Sequence, residues 1–216
     1  MAKKTKAEAL KTRQMLIDSA IEQFALNGVG NTTLTDIADA AGVTRGAVYW
    51  HFTSKTDIFN AIWEQQAPLR DIIYYQTKEN ADANPLMHLR NQFVIALQFI
   101  AVDPRLRALM QILYHRCEFI DDMMPEEDIR TKIGFSHEHV RKVLNEAIIA
   151  GVLSKNVDIN LLLIMLHGFL SGVIKNWLMD PGKFNLYQHA PQLVDNIMLA
   201  VTAISDCTIK DESPVV

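Results

Sequence analysis

Apolar residues recur every three or four positions along most of the chain, which is the spacing of one face of an α-helix. In residues 10–27 the apolar positions are separated by charged ones, and Asn27-Gly28 supplies a stop signal at the end. No convincing stretch alternates apolar and polar residues, as a half-buried β-strand does. The pattern therefore predicts eight or nine helices and an all-α fold.

Capping and stop signals place the boundaries of the later helices. Two short helices are predicted, one at residues 34–41 and one that Thr44 caps and that ends at about Tyr49. A fourth helix is predicted to begin near Lys55 and to run past Trp63 as far as Ile73, with an interruption at Pro68. One further helix is predicted to begin at Pro85 and another at Asp103-Pro104. Three more are predicted, at residues 126–150, 158–179 and 187–205.

The two short helices and the turn between them have the plan of a helix-turn-helix unit, whose second helix enters the major groove of DNA. Ala38 is small and allows the helices to approach closely, and Gly42 can adopt the left-handed conformation that a tight turn needs. Val48 is expected to fill the wedge between the helices. Other helical hairpins share the glycine turn, so the content of the second helix decides between them.

The second helix, within TRGAVYWHF at residues 44–52, is rich in groups that suit DNA contact. Arg45 can pair bidentately with guanine O6 and N7. Gly46 and Ala47 are small enough to let the backbone approach base edges. Side chains able to donate to phosphate oxygens are Thr44, Tyr49 and His51.

Two of the three neighbouring residues can belong to this surface. Trp50 is equally compatible with contact to DNA and with a place in the core, whereas Phe52 is predicted to be core. Lys55 opens the fourth helix, where its charge and the helix N-terminus both attract phosphate.

The run TTLTDIADAAGVTRGAVYWHFTSKTDIF, residues 32–59, strongly resembles the DNA-binding segment of the TetR/AcrR repressors. MAKKTKAEALKTRQ at the front, ILYHRCEF in the middle and GVIKNWLMDP near the end resemble AcrR-type repressors of multidrug efflux operons, the AcrR and AcrS group. The resemblance in effect covers the whole chain.

The resemblance implies a homodimer with two DNA readers and repression that is relieved when a small hydrophobic molecule binds. It implies a DNA-binding domain at residues 10–60 and a ligand-binding and dimerisation domain at residues 61–206. The expected operator is double-stranded and nearly palindromic, with half-sites about 34–36 Å apart or a multiple of that distance. The DNA-contacting set is Thr33, Thr44, Arg45, Gly46, Ala47, Tyr49, Trp50, His51 and Lys55.

A ligand cavity is predicted because apolar and aromatic residues recur on several helices beyond what a simple bundle needs. The set is Trp63, Phe93, Leu97, Ile100, Met110, Leu113, Tyr114, Cys117, His167, Leu170 and Ser171. The resemblance places Met110, Tyr114, Cys117, His167 and Ser171 at pocket positions. His167 and Ser171 are four residues apart on one helix face. Each of these residues is also compatible with an ordinary core role.

Catalytic and metal sites are not predicted, and no cofactor is expected. His115 and Cys117 are two residues apart, as are His137 and His139, so on a helix neither pair converges on one point. A small helical enzyme using Cys117 or His115 remains the alternative of another class. A repressor of the same family that responds to a lipid or a signalling metabolite is the alternative within it.

The apolar stretch at residues 159–174 could be mistaken for a membrane span, but it is short and contains Asn160, His167 and Ser171. Gly168 and Gly172 would allow another helix to approach closely. The resemblance implies that this helix and the last one form half of a four-helix interface between two copies.

Charge and cysteine content agree with a cytoplasmic regulator that touches a polyanion at one end. The net charge is −4, yet residues 1–13 carry a local excess of four positive charges. No apolar segment follows these basic residues, so no secretory signal is predicted. Two distant cysteines, Cys117 and Cys207, do not make a disulfide framework.

Overall fold

The fold is built from helices, and the computed structural model describes residues 6–69, 71–73 and 84–207. No strand occurs in those ranges, and the prediction of an all-α fold is confirmed. The helices are α1 (Lys6–Asn27), α2 (Leu34–Ala40), α3 (Arg45–His51), α4 (Lys55–Gln65), α5 (Pro85–Val102), α6 (Pro104–Gln111), α7 (Glu126–Ile133), α8 (His137–Ile149), α9 (Ile159–Met179) and α10 (Leu186–Cys207), with a π-helix at Ile112–Arg116 after α6.

Two compact units divide the chain. One contains Met1–Ala67 and Pro104–Ile133, and the other contains Pro68–Asp103 and Gly134–Val216. These units are interleaved along the sequence, whereas the predicted division cuts the chain once, after residue 60. The assignment of DNA binding to residues 10–60 and of ligand binding to residues 61–206 stays a prediction.

The α2–α3 turn closes by backbone hydrogen bonds around one glycine. Gly42 has a φ of +66° and its N–H donates to the carbonyl of Asp39, while the N–H of Val43 donates to the carbonyl of Ala38. These two bonds form a Schellman motif, which needs a left-handed residue at this position and therefore favours glycine. Ala38 and Val48 are buried beneath the turn, as predicted.

Side-chain caps set where α2 and α4 begin. The hydroxyl of Thr33 accepts from the N–H of Asp36, and the Asp36 carboxylate accepts from the N–H of Thr33 at 2.8 Å. The backbone N–H of Thr33 is the main reason why the pKa of the Asp36 carboxyl lies below its ordinary value. Ser54 caps α4 by accepting from the N–H of Asp57 at 3.0 Å.

In the first unit, α1 packs against α2, α4, α6 and the π-helix. The apolar face of α1 is buried, and so is that of α4, including Trp63. The backbone N–H of Val29 donates to the carbonyl of Arg116 at 2.8 Å and joins the α1–α2 connection to the end of the π-helix.

The helix α4 ends at Gln65, and helical geometry resumes at Leu69 and at residues 71–73, so the predicted interruption at Pro68 is confirmed and divides the segment. Gln66 has a ψ of 118° and leaves the helical conformation two residues before Pro68. A proline lacks the N–H that would continue the helix and disfavours helical geometry in the residue before it. The break is therefore complete at Pro68.

Two further predicted helices are shorter than expected. The helix predicted over residues 126–150 is divided into α7 and α8, because Gly134 and Phe135 interrupt it and Ser136 caps α8 through the N–H of His139 at 3.3 Å. The helix predicted to follow Pro104 changes to π geometry after Gln111, and Cys117 is extended.

In the second unit, α5 lies against α8 and α10, and α9 packs against α8 and α10. By length and composition alone α9 could cross a membrane. Its residues Leu162, Leu166 and Leu170 are buried inside this unit, as in a core helix of a soluble protein.

Candidate DNA-binding and ligand-binding sites

The outer face of α3 carries polar, cationic and aromatic side chains. Thr44 caps this helix, its hydroxyl accepting from the N–H of Ala47 at 3.3 Å. Val48 and Phe52 are buried and fix the inner face. The predicted contact residues on the other face are exposed or half-buried: Thr44, Arg45, Gly46, Ala47, Tyr49, Trp50 and His51.

Trp50 belongs to this surface and not to the core. Its side chain is 71% exposed, and its ring meets the imidazole of His51 edge-on with centroids 4.5 Å apart. Phe52 is buried, as predicted, and the guanidinium carbon of Arg13 lies 4.9 Å from the centroid of its ring. Arg13, which the sequence placed only in a basic arm, therefore packs on the buried residue that follows α3.

Arg45 is held by a residue of its own helix. Its Nη2 donates to the hydroxyl of Tyr49 at 3.0 Å, and its guanidinium carbon lies 5.4 Å from the centroid of the Tyr49 ring. Residues four apart share a helix face, so Tyr49 directs the arginine along the outer face of α3.

Lys55 has a structural role that its sequence position did not indicate. Its ammonium donates to the carbonyl oxygens of Val29 and Gly30, the second at 2.9 Å. A lysine ammonium has three N–H donors, so two are used on the α1–α2 connection. Contact with phosphate by Lys55, like the other predicted DNA contacts, stays a prediction.

The predicted ligand-binding residues fall into both units. The first unit contains Trp63, Met110, Leu113, Tyr114 and Cys117, and the second contains Phe93, Leu97, Ile100, His167, Leu170 and Ser171. Most are buried, and Tyr114, Cys117, His167 and Ser171 are half-buried.

Within the first unit, aromatic contacts surround Trp63. Its ring lies 5.9 Å from that of Phe59, which in turn lies 6.1 Å from that of Phe119. The Trp63 Nε1–H is buried and has no acceptor among the described residues. A buried donor without an acceptor is costly, and it makes Trp63 a reasonable contact for a polar ligand atom.

Cys117 is poorly suited to nucleophilic catalysis. Burial, with smaller contributions from Glu126 and Glu118, raises the pKa of its thiol to about 11. The reactive form of a cysteine is the thiolate, which is scarce at neutral pH when the pKa is this high. No cluster of three metal-ligating side chains occurs within the described ranges.

In the second unit, His167 and Ser171 share a helix face as predicted, with Nε2 and Oγ 3.4 Å apart. The imidazole of His137, on α8, meets that of His167 edge-on with centroids 4.7 Å apart. These contacts join α8 to α9.

A cavity of about 250 Å³ lies in the second unit between α5 and α8. Phe93 is the one member of the predicted ligand set that lines it, beside Gln92, Phe135 and His139. Sequence reasoning missed Gln92, although a glutamine four residues after His88 in an apolar helix is a polar pair on one face.

Comparison with known proteins identifies the family. Residues 16–62 match the model of bacterial regulatory proteins of the tetR family, and residues 84–202 match the C-terminal region of MAATS-type transcriptional repressors. The chain is 50% identical over 198 residues to the probable acrEF/envCD operon repressor of Escherichia coli K12, covering 92% of this chain and 90% of the relative.

Two solved structures have the same fold. NalD, the secondary repressor of the MexAB-OprM multidrug efflux pump in Pseudomonas aeruginosa, is 27% identical with a TM-score of 0.71, covering 91% of this chain and 98% of that one. The complex of SmeT, a Stenotrophomonas maltophilia repressor, with triclosan is 27% identical with a TM-score of 0.67, covering 88% and 91%. On these matches over both parts of its length, the chain belongs to the TetR family of bacterial transcriptional regulators.

Proposed function

We propose that this protein is a DNA-binding repressor of a multidrug efflux operon and that small hydrophobic ligands release it from its operator. The observation that carries the proposal is the exposed face of α3, with Arg45, Tyr49 and Trp50 outside and Val48 buried beneath. The relatives named for efflux regulation, the acrEF/envCD repressor and NalD, support the choice of operon.

In this proposal α3 lies in the major groove and Arg45 reads a guanine through two hydrogen bonds. Gly46 and Ala47 allow the backbone to approach the base edges. The phosphate contacts come from Thr44, Tyr49, Trp50 and His51, and from Thr33 and Lys55 at the starts of α2 and α4.

Dimerisation of two copies of the protein through α9 and α10 supplies the second DNA-binding helix α3. Leu161 and Ile164 on α9 and Leu199 on α10 are each more than 60% exposed, which is unusual for large apolar side chains. A Cβ at Gly168 or Gly172 would meet nothing within 4 Å in one copy, so these positions leave room for a second copy. The two-fold symmetry of such a dimer matches a nearly palindromic operator.

Ligand binding would shift the population of dimers toward a spacing of the two α3 helices that does not fit the operator. Within the second unit, the apolar residues Phe93, Leu97 and Leu170 are the proposed source of ligand contacts. Triclosan bound to SmeT is an example of a small aromatic ligand in a relative. Because its target is chromosomal DNA, we place the protein in the cytoplasm.

Footprinting on the DNA that flanks the gene of this protein tests the proposal. We expect protection of a nearly palindromic segment that is lost when dyes or bile salts are added. Arg45→Ala should remove the protection, whereas Arg141→Ala, an exposed arginine of the second unit, should keep it. Absence of protection by the unaltered protein on flanking DNA, or protection unaffected by Arg45→Ala, would contradict the proposal.

A further inference from the structure

The cavity between α5 and α8 has an aromatic wall and a buried amide. Phe93 and Phe135 line it with their rings nearly perpendicular, 87°, and their centroids 5.1 Å apart. Val140 adds an aliphatic surface, and the Gln92 side chain faces the same space. Such a mixture of apolar walls and a few polar groups is typical of small-molecule sites.

Gln92 is only 7% exposed, and its amide is held from both sides by histidines. Its Oε1 accepts from Nε2 of His139 at 2.8 Å, and its Nε2 donates to Nε2 of His88 at 3.0 Å. An amide nitrogen can only donate and an amide oxygen can only accept, so His139 must present a proton to Gln92 and His88 a lone pair. The amide is therefore locked in position between α5 and α8.

Within the described part of the chain, half of the hydrogen-bonding capacity of this amide has no partner. A glutamine side chain offers two N–H donors and two acceptor lone pairs, and the described residues use one of each. Gln92 therefore retains one N–H and one lone pair while it borders an open space. Buried polar groups of this kind are satisfied by a ligand or by water.

We infer that this cavity binds a small, neutral, planar aromatic molecule carrying one group that both donates and accepts a hydrogen bond, and that Gln92 is the residue that selects it. The inference rests on the proposed function, since it assigns a chemical class to the releasing ligand. A hydroxyl group, a lactam or a primary carboxamide satisfies both free positions of Gln92, and the aromatic ring packs against Phe93 and Phe135.

The size and charge of the cavity set the limits of the class. A volume of about 250 Å³ lies just below the range of about 300–1,000 Å³ that is usual for drug-sized ligands, so one or two rings fit. Among the described lining residues, Asp71 is the one acidic or basic side chain other than His139, and it is exposed. Water screens an exposed carboxylate, so the buried Gln92 amide is the stronger determinant of selectivity.

Three ligands with the same ring system separate the contribution of the aromatic ring from that of the hydrogen-bonding group. Binding of 2-naphthol, 2-methoxynaphthalene and naphthalene to the full-length purified protein is measured by isothermal titration calorimetry without DNA. The first both donates and accepts, the second only accepts, and the third does neither. We expect 2-naphthol to bind about tenfold more tightly than naphthalene, with 2-methoxynaphthalene between them.

Gln92→Leu should abolish this order by making all three ligands bind alike, because the aromatic wall is kept and the amide is lost. Gln92→Met, which keeps an unbranched side chain, serves as the second variant if the first does not fold. Gln98→Leu is the matched control, since Gln98 lies on the same helix but donates to the Tyr187 carbonyl at 3.3 Å and does not line the cavity.

The inference is overturned if the unaltered protein binds none of the three ligands, or if the preference for 2-naphthol survives both substitutions at Gln92. If dyes or bile salts release the unaltered protein from its operator but 2-naphthol does not, this site is rejected and the proposed function is left intact. If 2-naphthol binds in a Gln92-dependent way but the protein protects no flanking DNA, this site is supported and the proposed function is rejected.

Discussion

The hydroxyl of Tyr49 accepts a hydrogen bond from Nη2 of Arg45 at 3.0 Å, one helical turn earlier on the same exposed face of α3. Arginine side chains have many rotamers, and ordering one on binding costs free energy. The Tyr49 contact orders the guanidinium before DNA arrives. Tyr49 is therefore a positioning residue for the side chain proposed to read the base.

Tyr49→Phe should weaken operator binding about three- to tenfold, because it removes one hydrogen bond of about 0.5–1.5 kcal/mol while keeping the ring beside Arg45. Fluorescence anisotropy on operator DNA measures the change. Tyr187→Phe is the matched control, since Tyr187 has the same exposed fraction, 48%, and lies in the second unit. Equal affinities for Tyr49→Phe and the unaltered protein would show that Tyr49 does not position Arg45.

Arg45→Ala should cost about 1–3 kcal/mol of operator binding and relax the preference at one base pair, because a bidentate contact to guanine is lost. Competition with operators altered at single positions measures both quantities. If Arg45→Ala lowered the affinity for every sequence equally, Arg45 would be a phosphate contact and another residue would read the base.

Lys55→Ala should lower both DNA affinity and stability. The loss of a phosphate contact is expected to weaken all sequences alike and to reduce the salt slope by about one. The loss of hydrogen bonds to the carbonyls of Val29 and Gly30 is expected to reduce the free energy of unfolding by about 1–2 kcal/mol.

Salt titrations of DNA binding and urea unfolding measure the two effects of Lys55→Ala separately. Lys155→Ala, at an exposed lysine of the second unit, should produce neither effect. A normal salt slope in the Lys55 variant with reduced stability would restrict Lys55 to holding the α1–α2 connection.

The helix-turn-helix geometry and the exposed face of α3 could be predicted because their signals are local. Thr33 and Thr44 each cap a helix through the N–H three residues later. The turn at Gly42 closes by two hydrogen bonds, from Gly42 to Asp39 and from Val43 to Ala38, which span three and five residues. The exposure of Trp50 could not be predicted, since either face of a short helix accepts an aromatic residue until the packing of α1 is known.

The cavity between α5 and α8 depends on contacts between distant residues, so its lining was harder to predict. The role of Gln92 could not be predicted, because its hydrogen-bond partner His139 lies 47 residues later in the sequence, on α8. The interleaving of the two compact units likewise results from long-range packing, which helical periodicity does not report. The interruption at Pro68 was a local signal and could be predicted, because a proline breaks the helix at its own position and residues 69 and 71–73 are helical again.

Cys117 should react slowly with iodoacetamide at pH 8. Its pKa of about 11, against an ordinary value of 9.0, leaves about a hundredfold less thiolate. The rate is measured in a Cys207→Ala background and should rise with pH up to about 11. Cys117→Ala should retain operator binding, and a rate at pH 8 like that of a free thiol would contradict the assignment of Cys117 as a protonated, half-buried residue.

The ion pair between α5 and α10 should make stability depend on pH in the acid range. Nε of Arg90 contacts Oδ1 of Asp195 at 2.7 Å, and Nη2 contacts Oδ2 at 3.1 Å. The hydrogen bond from Arg90 lowers the pKa of the Asp195 carboxyl below its ordinary value of 3.8. A carboxyl whose pKa is lowered by folding stabilises the protein above its unfolded pKa, and this stabilisation is lost as the pH falls through the folded pKa.

Asp195→Asn should therefore lower Tm at about pH 6, and the difference should shrink as the pH falls below 3.8 and through the lowered pKa of the Asp195 carboxyl. The Asp195 side chain is 50% exposed, so the effect should be small and should decrease in high salt. Thermal melts of both proteins across this range, with and without 1 M sodium chloride, provide the measurement.

Asp18→Asn, which removes a second arginine-paired aspartate in the first unit, shows whether the effect belongs to the α5–α10 contact. A difference in Tm between the Asp195 variant and the unaltered protein that stays constant down to the lowest pH at which both remain folded would contradict this prediction. That outcome would mean that the carboxylate charge contributes nothing and that the aspartate acts only through its shape and neutral hydrogen bonding.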